Sequence, residues 1–312
     1  MTDRKQVSTV TTNQYIIDTA ISINMQNILG GIDPIPTVKP DPTQYQVAGE
    51  TGFTTLWIVF VVLLVASGFF ALLAWNIPVS KRVYHVITTL ITIIAALSYF
   101  SMATGHGASL NCVKVRDHND NVPDTFHEVC REVYFARYID WALTTPLILL
   151  DLSLLGGIDG AHTLMAIAAD IIMVLTGLFA AYGSERTAQK WGWYTIACVS
   201  YVFVIWHVAL HGAKTVKAKG TKVVKLFGSL GLFTFIVWTA YPIVWGLAEG
   251  ARKASVDTEI LVYAVLDILA KVVFGLWLLI SHRSIPGTNV DIGGYWAHGL
   301  SSEGRIRIGD GD

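Results

Sequence analysis

Hydrophobic residues fall into seven long runs along the chain, separated by shorter polar segments. The runs cover about residues 53–75, 83–104, 132–154, 160–182, 192–211, 223–247 and 257–281. Each is close to the ~20 residues that an α-helix needs to cross the hydrocarbon core of a bilayer. The pattern therefore predicts an all-α fold, a bundle of seven transmembrane helices.

The two ends of the chain differ from this central part. Residues 1–50 are polar and contain no charged segment followed by a short apolar run, so we expect no cleavable signal peptide. The last thirty residues are rich in glycine, which is typical of a flexible tail. We therefore expect a polar tail over 1–50, a seven-helix domain over 51–283 and a second tail over 284–312.

Basic residues predict the orientation of the bundle. The segment between the fifth and sixth runs contains five lysines and no acidic residue: Lys214, Lys217, Lys219, Lys222 and Lys225. Lys81 and Arg82 lie on the same side. Because basic loops stay in the cytoplasm, we expect the amino terminus outside, the carboxyl terminus in the cytoplasm and the protein in the plasma membrane.

The segment 105–131 is long for a connection between bundle helices, which predicts a small hairpin or a lid. Cys112 and Cys130 lie in it, on the predicted outer and oxidising side. The sequence does not decide whether these two cysteines form a disulfide or remain free thiols. Cys198 is predicted to be a small buried hydrophobe in the fifth run.

Composition excludes several classes of protein. Hydrophobic residues make up 53% of the 312 residues and charged residues 14%, whereas soluble domains carry about 25% charged residues. A net charge of −1 provides no basic surface for nucleic acid. His207 and His211 are spaced like metal ligands, but no carboxylate lies near them in sequence, so no metal site is predicted. The expected partner is the lipid bilayer.

Ionisable residues inside the predicted spans are the main chemical signal. The third run contains Arg137, Asp140 and Asp151, and the seventh contains Asp267 and Lys271. A charge at the middle of a bilayer costs about 2.5–3.5 kcal/mol even on the most lenient scale. Such residues face the interior of a bundle and are functional candidates.

Spacing places the polar residues of the third run on one helix face. Arg137, Asp140 and Thr144 are three and four residues apart. Asp151 follows Asp140 by 11 residues, which is about three helical turns and ~16 Å along the axis. One face therefore carries two carboxyls at different depths.

Asp267 and Lys271 are four residues apart and can touch on one helix. They could form a self-neutralising ion pair that holds the bundle together. Alternatively, a buried lysine is a nucleophile towards a carbonyl group, and the imine it forms needs carboxylate counterions. Trp238, Tyr241 and Trp245 would wall a slot for a flat, conjugated and apolar ligand.

Taken together, these residues resemble the microbial (type I) rhodopsins, namely bacteriorhodopsin and its fungal proton-pumping relatives. The matching strings are RYIDW at 137–141, TTP at 144–146, WTAYPIVW at 238–245 and LDILAK at 266–271, with further support from YFSM at 99–102 and from Asp170. The resemblance covers residues 53–282 and neither tail.

The resemblance implies all-trans retinal bound as a protonated Schiff base to Lys271. Asp140 would be its counterion and proton acceptor, Asp267 the second counterion and Asp151 the internal proton donor. Arg137 would connect the site to the outer surface, and Thr144 would form a hydrogen bond with Asp140. The residues implied at the retinal pocket are Trp141, Met173, Trp238, Tyr241 and Trp245, with Tyr99, Tyr138 and Thr145 nearby.

Glu249 and Glu259 resemble the proton-release pair of this family. Counted from Trp245, Glu249 comes one residue earlier than the bacteriorhodopsin pattern. The alternative to a release pair is that Glu249 and Glu259 are two acidic residues at a water interface with no functional role.

The resemblance predicts a light-driven outward proton pump and not an enzyme. Asp140, Thr144 and Asp151 together form the proton-pump pattern. The alternative is a slow-cycling photosensory rhodopsin that signals through a partner. The sequence does not determine the oligomeric state of the protein, and a homo-oligomer is possible in either case.

Overall fold

The structure is a computed structural model that describes residues 41–118, 123–184 and 187–289. The parts of the two predicted tails at 1–40 and 290–312 lie outside the described residues. The chain divides into two compact units, Met1–Pro42 with Lys114–His127 and Thr43–Val113 with Glu128–Asp312. The second unit contains the helices.

Seven helices in the described part of the chain are long and apolar enough to cross a membrane, which confirms the predicted bundle. They are α1 Glu50–Ala74, α2 Val83–Ala103, α3 Phe135–Gly156, α4 Gly160–Ala181, α5 Ala188–Lys219, α6 Thr221–Gly250 and α7 Val256–Ser284. Short 3-10 turns follow α1 at Val79–Lys81 and α7 at Pro286–Thr288. Helix α5 continues eight residues past the predicted end at residue 211, because its last turns are polar and hydrophobicity alone does not detect them.

Each helix buries one side and exposes the other. In α1, Leu56, Leu63 and Phe70 recur every seven residues and are fully buried. On its opposite side, Val65 and Leu72 are 66% and 69% exposed. Large apolar side chains cover the outside of a membrane bundle because lipid, not water, is its solvent. The chain is therefore an integral membrane protein with several spans.

Polar residues begin several of the helices. The side chains of Asp159, Thr187 and Ser255 each accept a hydrogen bond from a backbone N–H in the first turn of α4, α5 and α7, respectively. For Asp159, the bonds from the backbone and side chain of His162 hold the pKa of the carboxyl below its ordinary value. Gly157, with φ of 66°, ends α3 in the left-handed conformation that glycine adopts most easily.

Three helices contain a π-helical turn in the described residues. These turns are Trp206–His211 in α5, Gly246–Gly250 in α6 and Ile268–Val273 in α7. The wider turn shifts the side chains that follow it and is frequent at functional sites. Two of the sequence-predicted residues, Glu249 and Lys271, lie in such turns.

The segment between α2 and α3 forms the predicted hairpin, from strands β2 Ser109–Asp117 and β3 Thr125–Val133. A short strand, β1 Gln44–Gln46, pairs in parallel with β3, with Gln44 opposite Val129 and Gln46 opposite Arg131. The strand order is β1-β3-β2. Residues 44–46 thus form a strand within the segment that the sequence predicts as a tail.

Cys112 and Cys130 form a disulfide, which decides the question that the sequence left open. Cys198 is a free thiol in α5. We call the end of the bundle that carries the Cys112–Cys130 bridge the disulfide end. The opposite end, with Lys214 and Lys225, is the lysine end.

Within the first unit, ion pairs connect the described residues of the hairpin. Arg116 and His118 both contact the carboxylate of Asp124, and His127 Nδ1 lies 2.8 Å from Asp117 Oδ2. Arg116 and His118 are exposed, and surface pairs of this kind contribute at most about 1 kcal/mol each.

Removing the disulfide is expected to lower the stability of the protein. The bridge closes a loop with a sequence separation of 18 residues. A loop of this size corresponds to about 3 kcal/mol of loop-closure free energy in the unfolded chain. We expect Cys112→Ser with Cys130→Ser to unfold several degrees below the parent protein in thermal denaturation followed by circular dichroism. Cys198→Ser is the control; an unchanged midpoint for the double variant would contradict the prediction.

Candidate functional site

Lys271 lies at the centre of a buried ion cluster that joins α3 and α7. Its Nζ donates to Asp140 Oδ2 at 2.5 Å and to Asp267 Oδ1 at 2.9 Å. All three side chains are at most 3% exposed. The contact with Asp267 follows from the spacing of four residues. The contact with Asp140 spans 131 positions and depends on the packing of α3 against α7.

Asp267 is surrounded by donors from three other helices, α2, α3 and α6. Tyr99 Oη of α2 donates to Oδ2 at 2.7 Å, and Tyr241 Oη of α6 donates to Oδ1 at 2.9 Å. Trp141 Nε1 of α3 lies 3.4 Å from Oδ1. Both oxygens of Asp267 are therefore occupied.

Asp140 is less completely bonded than Asp267. Its Oδ1 is buried and has no hydrogen-bond partner among the described residues. Thr144 Oγ1 donates at 2.8 Å to the backbone carbonyl of Asp140. One oxygen of Asp140 therefore remains available for a proton.

A mostly apolar cavity extends from Lys271 between α3, α4, α5, α6 and α7. Seven of the predicted pocket residues line it, namely Tyr138, Trp141, Thr145, Met173, Trp238, Tyr241 and Trp245. Tyr99 does not line it and instead contacts Asp267. Thr145 Oγ1 also lies 2.5 Å from Asp170 Oδ2, which ties α3 to α4 beside the cavity.

Helix α5 contributes a wall that the sequence analysis did not predict. Tyr194, Cys198 and Tyr201 line the cavity at spacings of four and three residues. Tyr194 Oη donates to the carbonyl of Pro242 at 2.9 Å and Tyr201 Oη to that of Phe235 at 3.0 Å, which fixes α5 against α6. The spacing was a usable signal, because residues three and four apart share a helix face.

Asp151 lies in α3 on the lysine-end side of Asp140 and is fully buried. Neither of its carboxyl oxygens has a hydrogen-bond partner in the part of the chain that the structure describes. A charge buried without a partner is very costly, so a neutral carboxyl is the form that these surroundings tolerate. Asp151 can therefore store a proton.

A second charged cluster lies between the ion cluster and the disulfide end. Glu259 Oε1 accepts from Arg137 Nη1 at 2.6 Å, and Oε2 accepts from Arg131 Nη2 at 2.7 Å. Arg131 belongs to β3, and no sequence signal distinguished it from other surface arginines. Arg137 also packs over the ring of Tyr263 at 4.3 Å.

Glu249 joins this second cluster because the π-helical turn of α6 turns it inward. Its side chain accepts a hydrogen bond from Tyr138, and Oε1 lies 4.0 Å from Arg137 Nη1. Lys190 Nζ, which the sequence analysis did not single out, donates to the Glu249 backbone carbonyl at 2.6 Å. The structure thus brings Glu249, Glu259 and Arg137 together despite the offset of one residue from the bacteriorhodopsin pattern.

Comparison with known proteins gives consistent matches over the helical region. The family model of the bacteriorhodopsin-like proteins matches residues 51–285. Opsin-1 of Neurospora crassa is 65% identical over 280 residues, which cover 89% of this chain and 92% of that protein. Bacteriorhodopsin of Halobacterium salinarum is 32% identical over 260 residues, covering 82% and 93%.

Solved structures match equally well. A light-driven proton pump from Leptosphaeria maculans superposes with a TM-score of 0.77 at 60% identity, covering 78% of this chain and 99% of that chain. A light-driven proton pump from Coccomyxa subellipsoidea gives a TM-score of 0.67 at 38% identity, covering 76% and 99%. With its seven helices and its buried lysine between two aspartates, the chain belongs to the bacteriorhodopsin-like family.

Proposed function

We propose that this protein is a light-driven pump that moves protons outward across the plasma membrane. The observation that carries the proposal is the contact of Lys271 with Asp140, whose Oδ1 has no hydrogen-bond partner among the described residues. Asp151, which lies towards the lysine end along α3, has no hydrogen-bond partner there either. The Leptosphaeria protein, 60% identical in sequence, is described as a light-driven proton pump. A pump rather than a sensor is favoured by a buried carboxyl on each side of Lys271.

Membership of the rhodopsin family implies a retinal chromophore, and the cavity suits one. Its walls are aromatic rings such as Trp141, Trp238 and Tyr241, and Lys271 is its buried primary amine. We propose Lys271 Nζ as the covalent attachment point for the aldehyde carbon of retinal, with loss of water. When bound there, retinal would supply the light-absorbing group, and the Lys271 nitrogen would carry a proton that it holds less tightly after light is absorbed.

Asp140 is the proposed acceptor of the proton from the Lys271 nitrogen. The distance of 2.5 Å between Nζ and Oδ2 is within direct transfer range. Asp267 is at a similar distance but already accepts from Tyr99 and Tyr241. It therefore serves better as a fixed negative charge than as a proton carrier.

Asp151 is the proposed donor that returns a proton to the Lys271 nitrogen. It lies about three helical turns from Asp140, towards the lysine end. A proton that arrives from Asp151 and leaves by way of Asp140 moves from the lysine end to the disulfide end. Moving it against 100 mV requires about 2.3 kcal/mol, a small part of the energy of a visible photon.

Glu249, Glu259 and Arg137 form the proposed release site. Glu259 is bound by two arginines, whereas the Glu249 side chain accepts a hydrogen bond from Tyr138 and lies farther from Arg137. Glu249 is therefore the better place for a proton that is released to the disulfide end. The concentration of lysines at the opposite end supports a cytoplasmic location for that end.

Illuminating cells that express the chain with all-trans retinal should acidify an unbuffered medium. The acidification should disappear with a protonophore and in Lys271→Ala, which lacks the proposed attachment point, and in Asp140→Asn, which lacks the acceptor. The measurement is external pH under green light. A coloured protein without a pH change would favour the photosensory alternative, and a folded but colourless one would contradict retinal binding.

Replacing Asp151 with Asn should slow the return of the proton to the Lys271 nitrogen by about 10²-fold, the scale of a lost general acid. Flash spectroscopy of the purified protein measures this step. Azide, a small diffusible proton donor, should restore part of the rate, and Asp151→Glu should retain most of it. Unchanged kinetics in Asp151→Asn would exclude the donor role.

Glu249→Gln should delay the release of the proton until late in the photocycle, because the amide cannot hold and release it. A pH-sensitive dye in the medium reports the time of release after a flash. Glu128→Gln, an exposed acid at the same end, is the control and should keep the parent timing. Early release from Glu249→Gln would contradict the assignment.

A further inference from the structure

Three histidine side chains from two helices meet at the lysine end. His162 lies in the first turn of α4, and His207 and His211 lie in the π-helical turn of α5. The ring centroids of His162 and His211 are 3.7 Å apart, and that of His207 lies 5.5 Å from His162 and 5.6 Å from His211. All three are half-buried.

Local structure explains why the α5 histidines act as a pair. In an α-helix, residues four apart diverge by about 40° around the axis, and the wider π-helical turn reduces that divergence. The two rings are almost parallel, with an interplanar angle of 18°. Both present the same side to α4, where His162 faces them.

The Nδ1 atoms of the pair have no hydrogen-bond partner among the described residues. His207 Nδ1 and His211 Nδ1 are buried and make no hydrogen bond with any residue in the described ranges. Buried polar atoms are normally satisfied, so such nitrogens on neighbouring rings need an explanation. A shared cation would satisfy them.

Asp159 fixes the third histidine from outside the cluster. Its Oδ2 lies 2.6 Å from His162 Nδ1, and its Oδ1 accepts from the His162 backbone N–H at 3.0 Å. Asp159 begins α4, so its position is set by the helix itself. A carboxylate bound to one ring nitrogen fixes the tautomer and leaves Nε2 available, the arrangement typical of metal-binding histidines.

We propose that His162, His207 and His211 bind a divalent transition metal ion, with Zn²⁺ and Cu²⁺ as the expected ions. One nitrogen from each ring lies within 4.8 Å of the other two. Zinc–nitrogen bonds of about 2.0–2.1 Å place tetrahedral ligands about 3.3 Å apart, so about 1.5 Å of side-chain closure forms the site. Three imidazoles suit zinc and copper rather than Mg²⁺ or Ca²⁺, which prefer oxygen ligands.

The fourth position of such a site would be open to water, which allows reversible binding. The ion would connect the start of α4 to the π-helical turn of α5. The sequence argument against a metal rested on the lack of a carboxylate near His207 and His211. Folding supplies the third ligand, His162, from α4, and it supplies a carboxylate from Asp159, the residue before α4. The proposal does not depend on proton pumping.

Zinc binding to the full chain tests the site directly. The protein, purified with a tag that contains no histidine, is dialysed against ZnCl₂ and its zinc content is measured by mass spectrometry. We expect one zinc ion per chain with the parent protein and at least tenfold weaker binding in His207→Asn and in His211→Asn. Asp159→Asn should bind about 10–100-fold more weakly, the usual effect of losing such a partner. His106→Asn, an exposed histidine at the disulfide end, should bind as the parent does.

Electron paramagnetic resonance with Cu²⁺ gives a second readout, and its measurement on the parent protein does not depend on a variant folding well. The parent protein should show hyperfine coupling to several imidazole nitrogens, and His211→Asn should show fewer. Zinc binding that is unchanged in both His207→Asn and His211→Asn would overturn the proposal. So would a copper signal with a single nitrogen in the parent protein.

Discussion

The rest of the structure depends on one buried amine held between two carboxylates. Lys271 Nζ lies 2.5 Å from Asp140 and 2.9 Å from Asp267, and all three side chains are buried. An unpaired charge there would destabilise the fold by several kcal/mol, so α3 and α7 must pack side by side. Tyr99 and Tyr241 donate to Asp267 and so connect α2 and α6 to the same charge cluster.

The carboxyl groups along the bundle differ in their hydrogen bonding, and these differences suit them to different roles. Asp267 is fully bonded, Asp140 has one free oxygen and Asp151 has no partner among the described residues. Glu259 is held by two arginines. In the proposed mechanism a proton moves from Asp151 to the Lys271 nitrogen and then to Asp140, in that order, while Asp267 stays a fixed negative charge. That order, and not any single residue, supports directional transport.

Much of this arrangement could be predicted from the sequence, because helices that cross a membrane are marked by long apolar runs and by the spacing of the polar residues within them. The seven apolar runs mark the helices, and the spacing of Asp267 and Lys271 predicts their contact. Arg131 could not be predicted, since its role arises from a strand pairing that brings it to Glu259, 128 residues away. The inward turn of Glu249 depends on a π-helical turn that hydrophobic spacing does not reveal. Tyr194 and Tyr201 were accessible from their spacing but were missed.

The sequence by itself determined the number of spans, the faces that carry charge and the chemistry that these charges can support. Local periodicity and the cost of burying charge in lipid suffice for that, because both act within one helix. Only the tertiary structure decided which helices meet. It formed the Cys112–Cys130 disulfide, paired Asp140 with Lys271 and gathered His162, His207 and His211. Contacts between distant segments depend on how side chains pack across helices. The order of residues along one helix does not determine that packing.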